Sequence, residues 1–139
     1  MGNPGVRRIN PPSAAPVFGM YSHVAIVEPG ARTAYIAGQV SVDAQGRIVA
    51  PNDLGGQVPV VFDHLERILR DLKSGWEQII ELRTYLVGRE NLDAWFRERT
   101  AVYRRIFPNG DYPPNTLVVV SALNRPELRV EISATARVP

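Results

Sequence analysis

Between Val58 and Leu72 the apolar residues Val58, Val61, Phe62, Leu65, Ile68, Leu69 and Leu72 return at intervals of three and four. That period lays them along a single stripe of an α-helix, and a helix with one apolar stripe must bury it against another apolar surface. Pro59 is tolerable only near a helix start, so the spacing predicts a helix beginning close to it, with Gly75 as the stop. A second helix is predicted after Asn91 as its cap. It offers Leu92, Trp95, Phe96, Val102, Tyr103, Ile106 and Phe107 for burial. Whatever else the chain contains must therefore give two helices something to lie on.

The remaining patterns supply a sheet. Residues 22–27 and 32–39 read as strands around a Glu28-Pro29-Gly30 turn, which predicts a hairpin. A turn at 43–46 precedes a short apolar stretch, Ile48-Val49. Residues 79–87 alternate, with Ile80, Leu82, Thr84 and Leu86 on one face and Glu81, Arg83 and Tyr85 on the other. Residues 116–123 and 128–138 are the last strands, joined by Asn124-Arg125-Pro126-Glu127. The order is ββ-α-β-α-ββ, an α+β fold with two helices on one face of a mixed sheet. Residues 17–139 read as one domain. Residues 1–16, with Gly2, Pro4, Gly5, Pro11, Pro12 and Pro16, read as a poorly ordered lead-in.

Leu117-Val118-Val119-Val120 is apolar on both alternating faces. Two helices cover one side of a sheet, so the other side is expected to pack against further copies of the chain in a closed symmetric oligomer.

Composition narrows the function. The 139 residues contain no cysteine, which excludes thiol chemistry, disulfides and cysteine metal sites. The net charge of +2 comes from basic residues interleaved with acids, without a basic stripe, so nucleic-acid partners are not expected. No apolar run is long enough to cross a membrane, no apolar stretch follows Arg7-Arg8 as in a secretory signal, and a cytoplasmic location is the natural reading. His23 and His64 have no neighbours at metal-ligand spacing, so no metal site is expected at either. Ser41, Ser121 and Ser133 lack a G-x-S-x-G setting, and no Lys-Ser/Thr follows Gly55-Gly56.

In the last strand Leu128, Val130, Ile132, Ala134 and Ala136 form one apolar face. Glu131, Ser133 and Thr135 therefore point the other way, toward the expected partner surface. A carboxylate at a partly covered interface suits proton transfer. It equally suits an ion pair across the strands or the interface.

Four stretches together resemble the RidA/YjgF family of reactive-intermediate deaminases, also called the L-PSP family. They are Tyr35-Ile36-Ala37-Gly38-Gln39-Val40 with the turn at 43–46, the first helix, Leu82-Arg83-Thr84-Tyr85-Leu86, and residues 113–136. The last of these, P-P-N-T-L-V-V-V-S-A-L followed by V-E-I-S-A-T-A, is the most specific. The likeness runs from about residue 21 to 138. It implies a chorismate-mutase-like fold assembled as a trimeric barrel, a homotrimer with small-molecule pockets between subunits. It also implies cofactor-free hydrolysis of enamines and imines to ammonia and a keto acid.

By the same resemblance Glu131 is the catalytic glutamate that positions or activates water, Tyr21 lines the cavity, and Ala37 and Gly38 bind substrate through the backbone. Asn115, with Thr116 after it, stands where the family holds a substrate with arginine, so the likeness is to a subgroup lacking that residue. A neutral, shorter asparagine cannot grip a carboxylate as a guanidinium fork does. Arg125 and Arg129 are candidates to reach in instead. Ser133 stands where many members carry a second glutamate. The expected function is a small-molecule enzyme acting on an imine, enamine or related carbonyl, whether as a deaminase or through tautomerisation, dehydration or cyclisation. The alternative is a ligand-binding or regulatory trimer without turnover. Ribonuclease activity, attached to the family by name, is not expected without an aromatic platform or strong positive charge.

Overall fold

The stripe that opens at Val58 is realised as α1 (Leu54–Asp71) in a computed structural model that describes residues 5–139. Val58, Val61, Phe62, Leu65 and Leu69 are all buried. The helix starts earlier than Pro59 suggested. Pro59 lies inside it on an exposed position, close enough to the start that only the bond to the Gly55 carbonyl is forgone. Nor does Gly75 terminate it. Lys73 takes a left-handed conformation (φ 56°), its N–H donates to the Arg70 carbonyl at 3.0 Å, and the Ser74 N–H donates to Leu69 at 2.8 Å. That is a Schellman closure with lysine in the position glycine usually fills.

The second helix, α2 (Leu92–Ile106), buries Trp95, Tyr103 and Ile106, while Phe96 stays 44% exposed. Asn91 occupies the cap position without capping; its side-chain amide donates instead to the Val87 carbonyl at 2.8 Å. Phe62 of α1 stacks on Trp95 of α2 at 6.3 Å and meets Tyr103 edge-on at 6.1 Å. Arg99 is buried in the same seam with its guanidinium over the rings of Phe96 and Tyr103. Burial lowers its pKa, and it raises that of the fully enclosed Tyr103 to about 12.

Both helices lie on a four-stranded mixed sheet. Its strands β3 (Arg32–Gln39), β4 (Ile79–Val87), β5 (Asn115–Val120) and β6 (Val130–Val138) run in the order β3-β6-β4-β5. The β4–β5 pair is parallel and the others are antiparallel. Val130, Ile132, Ala134 and Ala136 of β6 enter the core as the alternation predicts. On β4 the core position is Ile79 rather than Ile80, because the ladder shifts register between Ile79 and Glu81.

Two expectations need correction. The strand at residues 24–27 does not form a hairpin with β3. It is β2 (Val24–Val27), and it pairs with a strand not anticipated from the sequence, β1 (Val6–Ile9), so the order is β-β-β-α-β-α-β-β. The lead-in is thus ordered where it forms β1; residues 1–4 lie outside the described residues. The cause is Arg8, whose side chain is only 1% exposed. It donates to the carbonyls of Trp76 at 3.0 Å and Ile79 at 2.9 Å and lies over the Phe107 ring at 5.4 Å. Burial lowers its pKa, opposed by nearby Asp111.

One buried polar residue sets the register of the central strand. Gln57 of α1 has no exposed surface. Its amide donates to Ala50 (2.9 Å) and Glu127 (2.8 Å), and its carbonyl accepts from the Arg129 N–H at 2.7 Å. The segment leading into β6 is thereby fixed to the helix, and with it the position of Glu131. Among the described residues no helix is long and apolar enough to cross a membrane.

Candidate functional site

The side of the sheet away from the helices carries a polar cluster, built row by row from the strand register. In β6, Glu131 and Ser133 alternate with the core residues Val130 and Ile132. Across the ladder, β4 sets Tyr85 beside Glu131 and Arg83 beside Ser133. The next strand, β5, sets Val118 beside Tyr85 and Thr116 beside Arg83. Paired residues share a face, so these six side chains lie on one surface.

On the other flank of β6 the pairing with β3 shifts register between Ile36 and Gln39, leaving Ala37 and Gly38 as a bulge. Within the bulge Gln39 donates its side-chain amide to the Ala37 carbonyl at 3.0 Å. The Glu131 carboxylate lies directly against Gly38: a β-carbon built there would overlap its Oε2 and come within 2.6 Å of Cδ and 2.8 Å of Cγ. Glycine is therefore required at residue 38 by the resting place of the carboxylate. Glu131 and Gly38, proposed separately from sequence, form one structural unit.

Asn115 belongs to a different place. The last two strands are not neighbours, because β4 runs between them. Asn115 pairs with Leu82, whereas Glu131 pairs with Tyr85. Three residues along and two strands across put their Cα atoms about 14 Å apart. Asn115 also shares the helix-side row of Leu82 and Thr84, and its Oδ1 accepts from the buried Thr84 hydroxyl at 2.9 Å.

Tyr21 lies at the Asn115 end. The Ser22 N–H donates to the Pro113 carbonyl at 3.5 Å, which lays this segment beside the approach to β5. The Tyr21 hydroxyl accepts from the Phe18 N–H at 3.4 Å, and its ring meets His23 edge-on at 5.5 Å. A single chain thus separates these candidates into two groups: Glu131, Gly38, Ala37 and Ser133 in one, Asn115 and Tyr21 in the other, with Thr116 beside Arg83 between them.

The two guanidinium groups suggested as stand-ins do not reach either half. Arg125 donates to the Gly46 carbonyl at 2.9 Å. Arg129 donates to the Pro126 carbonyl and to Asn52 Oδ1, both at 2.7 Å. Both hold loops. His64 contacts the Val42 carbonyl at 2.7 Å and His23 that of Ala15 at 2.6 Å, each a local tie. Among the described residues no group of His, Asp or Glu is arranged to hold a metal ion.

The sequence matches the family described as Endoribonuclease L-PSP over residues 12–138. The chain belongs to this family. A solved structure of a Rid-family protein of unknown function, YyfB from Yersinia pestis, is 33% identical; the alignment covers 96% of this chain and 99% of that one, with a TM-score of 0.84. A protein of unknown function from Pseudomonas aeruginosa is 27% identical over 96% of this chain and 92% of its own, with a TM-score of 0.62. The Yersinia pestis Rid protein YyfA shares the fold, at 22% identity, 96% and 99% coverage, and a TM-score of 0.67. No curated protein matches the sequence.

Within this Rid-family fold, Arg83 and Tyr85 lie beside Glu131 and Ser133 without standing out as site candidates in the sequence. Their shared face was visible in the alternation of residues 79–87. What was missing was the pairing that puts that face beside Glu131.

Proposed function

We propose that this L-PSP-family chain is a small-molecule enzyme that hydrolyses an imine or enamine, with Glu131 as the proton-handling group. The observation that carries this reading is the Glu131 carboxylate seated on the Gly38 backbone, on the polar side of the sheet and beside a bulge. A carboxylate held in one place by a bulge is a positioned acid–base group. The imine enters protonated, as an iminium: a water oxygen bonds to the C=N carbon, the π pair moves to nitrogen, and Glu131 takes one water proton, giving a carbinolamine. Glu131 returns that proton to the nitrogen as the C–N bond breaks, ammonia leaves, and the hydroxyl oxygen loses its proton to solvent as it becomes the carbonyl. An enamine enters the same route after protonation at carbon. No metal or organic cofactor is needed for either half.

The complete pocket, on this reading, forms between copies of the chain in a homotrimer. Tyr35 is 81% exposed and Val118 41% exposed, both on the face that carries Glu131. Burying such side chains favours association. A neighbouring copy is also what brings Asn115 and Tyr21 to Glu131, which one chain holds about 14 Å from Asn115. Asn115, its oxygen engaged by Thr84, offers its NH₂ to a substrate carbonyl or similar acceptor.

The test is ammonia release from small imines and enamines made in situ, comparing the wild type with Glu131→Gln, alongside sedimentation. Turnover by the wild type, lost at least 100-fold in Glu131→Gln with trimerisation intact, is the expected result. Equal turnover by the two proteins defeats the assignment, and a monomer that turns over at full rate defeats the shared pocket.

A further inference from the structure

We infer that Arg83 is the residue by which this site recognises an anionic substrate, taking a carboxylate in exchange for Glu81; the inference rests on the pocket proposed above. Arg83 stands in the middle of the polar face, on the strand between β5 and β6, with Thr116 on one side and Ser133 on the other. Glu131 lies on its diagonal, two residues along β6 from Ser133. Diagonal neighbours are about 7–8 Å apart at Cα, a gap that a long side chain spans in part and a small acid can fill. A substrate held at its carboxylate by Arg83 would present the adjacent carbon toward Glu131.

Three further observations support the assignment. First, Arg83 has an exchangeable partner: its Nη2 is paired with Glu81 Oε1, and the two side chains are 42% and 36% exposed. A half-exposed pair of this kind contributes little to stability, so giving it up costs little. Second, the arginines at either end of the neighbouring β6 row are committed. Arg129 holds the loop before β6, and the Arg137 guanidinium packs against Gly5 at the far end of the strand. Third, Thr116 and Ser133 place hydroxyl groups on both flanks of Arg83, able to hydrogen-bond the outer lone pairs of a bound carboxylate. A guanidinium fork matches a carboxylate with two parallel bonds, a match that lysine cannot reproduce.

The experiment is a calorimetric titration of the intact protein with pyruvate and, separately, with pyruvamide, in which a neutral amide replaces the carboxylate. The wild type is expected to prefer pyruvate. Arg83→Ala should weaken pyruvate at least tenfold and leave pyruvamide unchanged, so that the preference disappears, and Arg83→Lys should fall between. Glu81→Gln should strengthen pyruvate binding, because it removes the competing internal anion, a gain that a purely structural Arg83–Glu81 pair would not give. Unchanged preference in Arg83→Ala, weaker pyruvate binding in Glu81→Gln, or no preference in the wild type each overturns the inference. Glu131→Gln separates this from the reaction itself: pyruvate that binds normally while imine turnover persists sinks the proton-handling role and leaves Arg83 standing.

Discussion

Gly38→Ala should separate folding from function in this protein, because the new β-carbon collides with one flexible side chain. Gly38 is not in the left-handed region, so alanine can adopt its backbone conformation. Removing the glycine's freedom in the unfolded chain favours folding by about 0.4–1 kcal/mol. Against this, the β-carbon overlaps the Glu131 carboxylate and approaches Cδ and Cγ to 2.6 and 2.8 Å. Glu131 must swing aside, at a rotamer cost of about 0.5–1.5 kcal/mol. The two terms nearly cancel, and the midpoint of urea unfolding should move by less than the equivalent of about 1 kcal/mol. Activity should not survive as well. Misplacing a catalytic group by about 1 Å costs on the order of 100-fold, and the loss should fall on kcat, since the role proposed for Glu131 is to act on water rather than to hold the substrate. Imine turnover and urea titration of the same preparation check both halves, and the ¹³C carboxyl resonance of Glu131 should shift without any substrate. A variant with kcat within threefold of wild type and an unmoved Glu131 resonance refutes the reasoning. So does a stability loss of several kcal/mol, which would mean that the backbone and not the side chain had given way.

Two further predictions concern the supports of the site. Arg8→Met leaves the carbonyls of Trp76 and Ile79 without their donor, and should cost about 2–4 kcal/mol in urea unfolding and strip hydrogen-exchange protection from β1; unchanged protection would contradict the clamp. Glu66 has a pKa below the usual carboxylate value, first because the Trp76 indole donates to it at 2.8 Å, with Arg105 and Arg70 assisting and burial opposing. A depressed pKa stabilises the fold above the unfolded value of 4.5, and this contribution is lost as pH falls through the lower folded value. The gap between the wild type and Glu66→Gln, about 1 kcal/mol at pH 7 after allowing for partial exposure, should therefore close on acidification below 4.5 in urea titrations at stepped pH; a constant gap would contradict the assignment.

The elements with strong periodicity were legible in the sequence. The stripe from Val58 to Leu69 and the alternation through Glu131 each placed their residues on the correct face, because burial alone decides those positions; Leu72, just past the end of α1, is instead 37% exposed. Pairing was not legible. Nothing local to residues 22–39 says that β3 pairs with β6 rather than with β2, and nothing in residues 115–138 says that β4 runs between β5 and β6. Those choices depend on long-range partners. The site followed the same division. Glu131 and Gly38 could each be named from the residues that resemble the family, yet their contact depends on the bulge at Ala37-Gly38. The importance of Arg83 depends on register, which Gln57 helps to set through a hydrogen bond 72 residues away in sequence. The role of Arg8 is illegible for a similar reason: its partners, Trp76, Ile79 and Phe107, are remote, and its proline-rich surroundings signal no element of structure.

The position of β6 between β3 and β4 also bears on how the chain is made. Of the described elements it leaves the ribosome last, yet it is the only hydrogen-bonded neighbour of β3 in the sheet and closes one edge of β4. A nascent or truncated chain that stops short of Val130 therefore displays two further unpaired strand edges, on β3 and β4, the condition under which sheets recruit foreign strands and aggregate. Glu131, the proposed proton-handling group, arrives on that same strand, so neither the finished sheet nor the candidate site can exist before β6 has emerged.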